Sequence, residues 1–361
     1  MGIEMVLYDK FDNQIIYYKS SENMSEIKNN TIDVIITSPP YNRNKKYSDD
    51  SGLVYNDKKP QDEYFEFLST VWRECYRVLN PRGIFFLNIG DAASDQGLSE
   101  QVVKLACNVG FIRLQTIIWI KSLLGKGHYT PTGGNKRLNN LWENIYVLIK
   151  DRMKYRMYPK AIGIPYADKS NIGRYGDEDL RDAGNVWLIN YSKTTGATIK
   201  KGHEAPFPIE LPYRCIKLAG GERVLDPFAG TGTTLAAAHV LNKVGIGYEK
   251  FPRKSVIKSK ILESTFQPSP ITLIPHLELS ADLLTSFSRD LNFNNLQDKG
   301  MFKFSKKENI QMTILRDVLA NQGLSLTFLD EYFDAYNKKI KIPSESQTSL
   351  QQFLDPKVKK S

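Results

Sequence analysis

A chain of 361 residues, 41% hydrophobic and 25% charged, is long enough to bury a full core and has the composition of an ordinary globular protein. It contains no apolar run of about eighteen residues, which excludes a helical membrane span. The opening MGIEMVLYDKFDN lacks the basic-then-apolar order of a secretory signal, so a cytoplasmic location is expected. The net charge of +9 suits a partner rich in phosphates, although a merely soluble basic surface would meet it equally well. The three cysteines, Cys75, Cys107 and Cys215, form no CxxC pair and no cluster with zinc spacing, so neither a disulfide nor a metal site is expected.

In chain order, residues 13–18 and 32–37 read as short buried strands, with a polar turn and a short helix between them. Residues 42–60 are rich in Asn, Lys, Asp and Ser and read as a mobile loop. A helix is expected over 62–79, stopped by Asn80-Pro81-Arg82-Gly83 and a turn. A strand at 83–90, a helix near 98–108 and strands at 111–121 and 144–150 follow. The rest of 122–202 has weak periodicity and reads as loops and an irregular insertion. From 209 the pattern returns as helix, strand RVLDPF, glycine turn, helix TTLAAAHVLN and strand VGIGYE. Strands alternating with helices predict a mostly parallel, doubly wound α/β sheet. Beyond about 262, a Pro-rich linker leads to helical patterns at 277–291, 307–322 and 325–338, a small helical extension.

Two constellations carry chemistry. In RVLDPFAGTGTTLAAAHVLNKVGIGYE (223–249), Gly230 and Gly232 allow a tight turn and close approach of a ligand. Asp226 closes the first strand, where it can accept from an ammonium or hydroxyl. Glu249 closes the second, where an acid can hold both hydroxyls of a ribose. The turn has no P-loop lysine, and Leu235 stands where a dinucleotide site wants its third glycine. A ribose-bearing cation without phosphate, such as S-adenosylmethionine, fits better. The second constellation is IDVIITSPPYN (32–42). Pro39 and Pro40 fix φ and remove two donors, which leaves a stiff loop presenting the Ser38 hydroxyl, the Pro39 carbonyl and the Tyr41 ring. Such a loop can stack a planar base and accept hydrogen bonds from its amino group. Each motif alone also fits a plain structural turn.

Together, TSPPYN and DPFAGTGTT resemble the amino-methyltransferase family of DNA methyltransferases, in the permuted β arrangement where the catalytic loop precedes the cofactor loop. The resemblance covers about residues 12–260 and includes RVLNPRG, IFFLNIGD, TIIWIK, WENIYVLIK and HEAPFPIELP in order. It implies a circularly permuted Rossmann-like S-adenosylmethionine-dependent methyltransferase fold. The catalytic half would span 1–121, a target-recognition region 122–202 (with a core strand near 144–150), the cofactor half 203–262 and the helical extension 263–361.

By the same resemblance, Asp226, Phe228, Ala229, Gly230, Thr231 and Gly232 line the cofactor pocket and Glu249 binds its ribose, with His203 and Pro206 near the methionine end. Ser38, Pro39, Pro40 and Tyr41 form the catalytic loop. Lys19-Ser20-Ser21 departs from the Gly-Asp often found at that turn. Family loops beginning with Ser mainly serve cytosine N4 and those beginning with Asp mainly adenine N6; those beginning with Asn serve RNA or protein amides. The expected activity is therefore site-specific methylation of cytosine N4 in double-stranded DNA, within a restriction-modification system whose partner nuclease is a separate chain. Adenine-N6 methylation and a catalytically silent DNA-binding protein stand as alternatives. Lys126, Lys136, Arg137, Lys193, Lys200 and Lys201 are candidate phosphate contacts. No Pro-Cys pair exists, so no covalent cytosine intermediate is expected.

Overall fold

The computed structural model describes residues 7–266 except 45, 53, 92–94, 122–139, 165, 167–168, 175 and 190–206. All of them fall in the first of two compact units, residues 1–272. The expected helical extension at 263–361 therefore lies almost wholly outside the described residues.

The core is a nine-stranded sheet. Its strands are β1 (Tyr8–Phe11), β2 (Gln14–Tyr17), β3 (Ile32–Thr37), β6 (Leu79–Ile89), β7 (Ile112–Ile120), β8 (Trp142–Ile149), β9 (Val186–Leu188), β10 (Arg223–Asp226) and β11 (Val244–Tyr248). A two-stranded hairpin, β4 (Lys46–Ser48) and β5 (Val54–Asn56), stands apart. The spatial order is β1-β2-β11-β10-β3-β6-β8-β7-β9, and only β1 and β8 run against the rest. The mostly parallel sheet expected from the sequence is thus present. The permuted order does not disturb it, because β3 and β10 are direct parallel neighbours, with Val34 beside Val224.

Strand alternation decides which helices cover which face. Ile35, Phe85, Leu87 and Leu148 point to α1 (Gln61–Val78) and α2 (Leu98–Val109), packing with Leu68, Trp72 and Ala106. Val34, Ile36, Phe86 and Val147 point the other way, to α3 (Glu210–Ala219) and α4 (Thr233–Val240). Both faces are buried, so these strands read as continuous apolar runs, as doubly covered strands must.

Several local expectations give way to tertiary contacts. The short helix expected after β2 is a set of turns. Arg77 donates to the Met24 and Ile27 carbonyls at 2.9 and 2.8 Å, and Glu74 accepts the Met24 N–H at 2.7 Å, so these backbone groups are committed elsewhere. α1 passes into β6 without a separate loop, and the expected turn at Asn80–Gly83 is present as a bulge: the register steps from Ile32–Leu79 to Val34–Ile84, and the Arg82 N–H donates to Asn80 Oδ1 at 2.8 Å. Glycine is needed at position 83, since a Cβ there would lie 2.6 Å from the Asp33 carbonyl. The loop at 42–60 contains the β4–β5 hairpin, and the Tyr55 ring stacks on Phe251 at 4.5 Å. Strands β1 and β9 and helix α5 (Lys254–Leu262) had no counterpart in the sequence reading.

Candidate functional site

Because β2, β11, β10, β3 and β6 are consecutive parallel neighbours, their carboxyl ends share one edge of the sheet. Ligands of open α/β sheets bind at such edges. A cavity of about 800 Å³ opens there, bordered by Ser38–Tyr41 after β3, Asn88 in β6, Asp226–Thr231 after β10 and Glu249 after β11.

The cofactor corner is built around Asp226, which is 2% exposed. Its carboxylate accepts from Thr37 Oγ1 at 2.6 Å, Thr234 Oγ1 at 2.6 Å and the Phe228 N–H at 3.0 Å. Burial pushes its pKa up to about 6, while these three bonds act in the opposite direction. A carboxylate has roughly four acceptor positions, so three are filled from within the protein and about one is left for a ligand. Asp226 is thus first a latch between β3, the glycine turn and α4. Gly230 and Gly232 have φ of 53° and 84°, a region that L side chains rarely adopt. The Ala229 N–H donates to the Tyr248 carbonyl at 2.9 Å, and Gly247 makes room below it, since a Cβ there would meet the Ala229 Cβ at 3.0 Å.

Glu249 faces this turn. It accepts from the N–H groups of Gly230 and Phe251, both at 2.8 Å. Its carboxyl is packed among backbone groups at the cavity wall, and this burial raises its pKa, partly offset by those two bonds. Phe228 closes the floor against Phe67 and the edge of Trp72, with ring centroids 5.8 and 6.2 Å away.

Three buried hydroxyls bordering the cavity, Ser21, Thr231 and Thr233, have no hydrogen-bond partner among the described residues. Buried polar groups are seldom left so, and their grouping fits a polar ligand that completes them. The turn 227–233 carries no cation, as a phosphate-free ligand requires. These features fit S-adenosylmethionine. Ser20 and Ser21 belong to the turn that departs from the family pattern, and both border the cavity all the same; the Ser20 hydroxyl is committed to Glu22 at 2.7 Å.

The base corner centres on Tyr41. Its hydroxyl donates to Glu143 Oε2 at 3.2 Å and accepts from Ser38 Oγ at 3.2 Å and the Gly90 N–H at 3.3 Å. The Arg43 guanidinium lies 4.6 Å from the centre of the Tyr41 ring and donates to the Gly90 carbonyl at 2.8 Å. Burial, and secondly the Glu143 charge, raise the Tyr41 pKa, so it remains a neutral phenol. The Pro40 carbonyl accepts from Tyr64 at 2.7 Å. No partner for the Pro39 carbonyl occurs among the described residues. Glu143 also accepts from Asn88 Nδ2 at 2.9 Å and pairs with Lys121, itself 5% exposed.

The sequence thus placed both corners on one edge, and the Thr37–Asp226 bond joins them directly. It did not identify Thr37, Arg43, Asn88, Lys121, Glu143 or Thr234. The available signal was a charged residue at the end of an apolar strand, as in TIIWIK and WENIYVLIK, where burial forces a partner. His203 and Pro206, and all six candidate phosphate contacts, lie outside the described residues.

Comparison with known proteins bears on this geometry. A family model described as DNA methylase, covering N6 and N4 enzymes, matches residues 32–255, which include both corners. The chain belongs to this DNA methylase family. As a member it uses S-adenosylmethionine as methyl donor, the cofactor expected from the sequence. Among curated relatives, the type II methyltransferase M.MjaI of Methanocaldococcus jannaschii is 29% identical over 297 residues, 71% of this chain and 94% of that protein. M.MthZI of Methanothermobacter thermautotrophicus, also named a type II methyltransferase, is 29% identical over 287 residues, 69% of this chain and 76% of that one. The solved PvuII DNA methyltransferase, titled cytosine-N4-specific, is similar in fold, with a TM-score of 0.54 and 19% identity over 72% of this chain and 90% of its own. The fold is the Rossmann-like methyltransferase fold expected from the sequence. No described helix is long and apolar enough to cross a membrane.

Proposed function

We propose that this DNA methylase transfers a methyl group to the exocyclic N4 of a flipped-out cytosine in duplex DNA, as the modification enzyme of a restriction-modification system. The observation that carries the reading is the sharing of one cavity by the Ser38–Tyr41 loop and the Asp226–Glu249 pocket, joined at 2.6 Å through Thr37 and Asp226. The serine that opens the loop supports cytosine, and the type II names of the relatives support the biological setting.

In this reading Asp226, Phe228, Ala229, Gly230, Thr231 and Gly232 hold the cofactor and Glu249 its ribose hydroxyls. S-adenosylmethionine supplies an electrophilic methyl group on a sulfonium. The target base must leave the duplex, which costs a few kcal/mol, and stacking on Tyr41 returns ~1–3 kcal/mol. The N4 lone pair is conjugated with the ring and weakly nucleophilic. Hydrogen bonds from the amino group to Ser38 Oγ and the Pro39 carbonyl draw it toward tetrahedral geometry and aim the lone pair at the methyl carbon. The surplus proton leaves after transfer. Catalysis is positioning and electrostatics, with no covalent enzyme–base bond. Residues 122–202 would read the sequence, with Lys126, Lys136, Arg137, Lys193, Lys200 and Lys201 on phosphates, so affinity should fall steeply with salt.

The test is incubation of the purified chain with duplex DNA and methyl-labelled cofactor, followed by digestion to nucleosides and mass spectrometry. N4-methylcytosine is expected. N6-methyladenine would overturn the choice of base, and DNA left unlabelled would favour a silent DNA-binding protein.

A further inference from the structure

The hydrogen-bond chain under the catalytic loop runs one way only. The Gly90 N–H, 3.3 Å from the Tyr41 hydroxyl, can only donate, and an ionised Glu143 carboxylate, 3.2 Å away, can only accept. A phenol has one hydrogen and two lone pairs. The hydrogen goes to Glu143, one lone pair to Gly90, and the remaining lone pair can only accept, which it does from Ser38 at 3.2 Å. The Ser38 hydrogen is therefore spent inside the protein, and toward the cavity Ser38 presents lone pairs alone. These contacts are longer than typical O–H···O and N–H···O bonds, as catalytic hydrogen bonds often are before substrate arrives.

Glu143 is held in this role from all sides. Asn88 Nδ2 donates to Oε2 at 2.9 Å, and the Lys121 ammonium pairs with Oε1. Gly90 clears the space, because a Cβ there would lie 2.5 Å from Glu143 Cγ. The carboxylate is largely buried, with 14% of its side chain exposed, and nothing in methyl transfer itself requires an acid at this place.

We infer that Glu143 is a positioning residue that makes Ser38 an obligate acceptor, so the pocket selects bases with an amino group at the reacting position over bases with a carbonyl. The inference rests on the amino-methylation reading and adds the device that enforces it. Cytosine N4 donates to Ser38. The O4 of uracil or thymine faces lone pairs with lone pairs and is rejected, since a site built to bond a donor leaves its own groups unpaired against an acceptor.

Glu143→Gln keeps the shape but offers Tyr41 an amide that can donate, which permits the chain to reverse and turn the Ser38 hydrogen toward the base. Single-turnover methylation should fall about 100-fold, with cofactor affinity held within about twofold. A purely structural role for the ion pair predicts that the neutral pair Glu143→Gln/Lys121→Gln recovers the rate; on this inference it does not. Tyr41→Phe breaks the same chain, so Glu143→Gln/Tyr41→Phe should be no slower than the worse single variant, and additive losses would overturn the inference. Binding gives a readout independent of turnover. The wild-type chain should prefer a duplex with an unpaired cytosine over one with an unpaired uracil by about tenfold, and Glu143→Gln should lose that preference. A variant that keeps both rate and preference sinks the role of Glu143. A wild-type chain that shows the preference but methylates no DNA sinks the underlying reading instead.

Discussion

The cofactor corner and the base corner open into one cavity, yet they are assembled in opposite ways. Asp226, Gly230, Thr234 and Glu249 come from a single strand–turn–helix–strand passage, residues 226–249, and most of their side-chain hydrogen bonds form within it, the bonds to Thr37 and Phe251 excepted. The base corner draws Ser38 and Tyr41 from after β3, Gly90 from after β6, Lys121 from after β7 and Glu143 from the start of antiparallel β8. A local site depends on spacing along the chain. A distributed one depends on strand order, and substitutions should separate the two accordingly: binding fails at the first, rate at the second.

The largest expected effect tests that separation. Ser38→Ala removes one acceptor from the amino group and should lower single-turnover methylation by about 10²–10³-fold. Cofactor affinity should barely change, since the Asp226 latch to Thr37 lies one residue away in the backbone of β3 and uses a different side chain. Isothermal titration with the cofactor provides the check; a tenfold loss of affinity would merge the corners into one unit.

The same division explains what was legible in the sequence. Gly230, Gly232, Asp226 and Glu249 sit at intervals that chain geometry dictates, so they could be read without a fold. The Ser-Pro-Pro-Tyr loop was legible because two prolines leave few conformations. Glu143 was not, because its partners are 102 residues back at Tyr41 and 22 residues back at Lys121. Only the β6-β8-β7 order brings them together. The turn at Asn80–Gly83 was legible because Asn, Pro and Gly act locally, and it persists as a bulge where β6 begins to pair with β3. The residues expected to meet DNA phosphates belong to the stretch of weakest periodicity, where sequence offers composition and little else.

A pH experiment sharpens the cofactor corner. Burial raises the Asp226 pKa from 3.8 to about 6, so the folded chain holds this proton more tightly than the unfolded one. That contribution to stability is fully present below about pH 4 and is lost as pH rises through about 6. It amounts to roughly 3 kcal/mol. Asp226→Asn lacks this titration. Its stability relative to the wild type should therefore shift in the variant's favour by about that amount between pH 4 and pH 7, read from urea unfolding. A shift of the opposite sign would mean that the three hydrogen bonds outweigh burial.

Glu249→Gln should have a smaller and more selective effect. The amide still accepts one N–H but presents a donor where the second carboxylate oxygen accepts from Gly230 or Phe251, and it exchanges a charged hydrogen bond to a ribose hydroxyl for a neutral one. A loss of about 1.4 kcal/mol, or tenfold in cofactor affinity, is expected. At saturating cofactor the methylation rate should return to nearly that of the wild type. A rate that stays low at saturation would mean the glycine turn also sets the position of the methyl group.

Arg43 offers the finest test, because it sits between the two behaviours. Its guanidinium lies 4.6 Å from the centre of the Tyr41 ring, covering one face, and its bond to the Gly90 carbonyl steadies the segment whose N–H donates to Tyr41. On the proposed function, a base stacked on Tyr41 would have the cation supporting the ring electrostatically. Removing that support costs about 1 kcal/mol, the usual scale of such a contact. Arg43→Ala should therefore slow single-turnover methylation about fivefold without altering cofactor affinity. A faster reaction would carry a different meaning: the guanidinium would be holding the place of the base, and its departure would be a step that every turnover has to make.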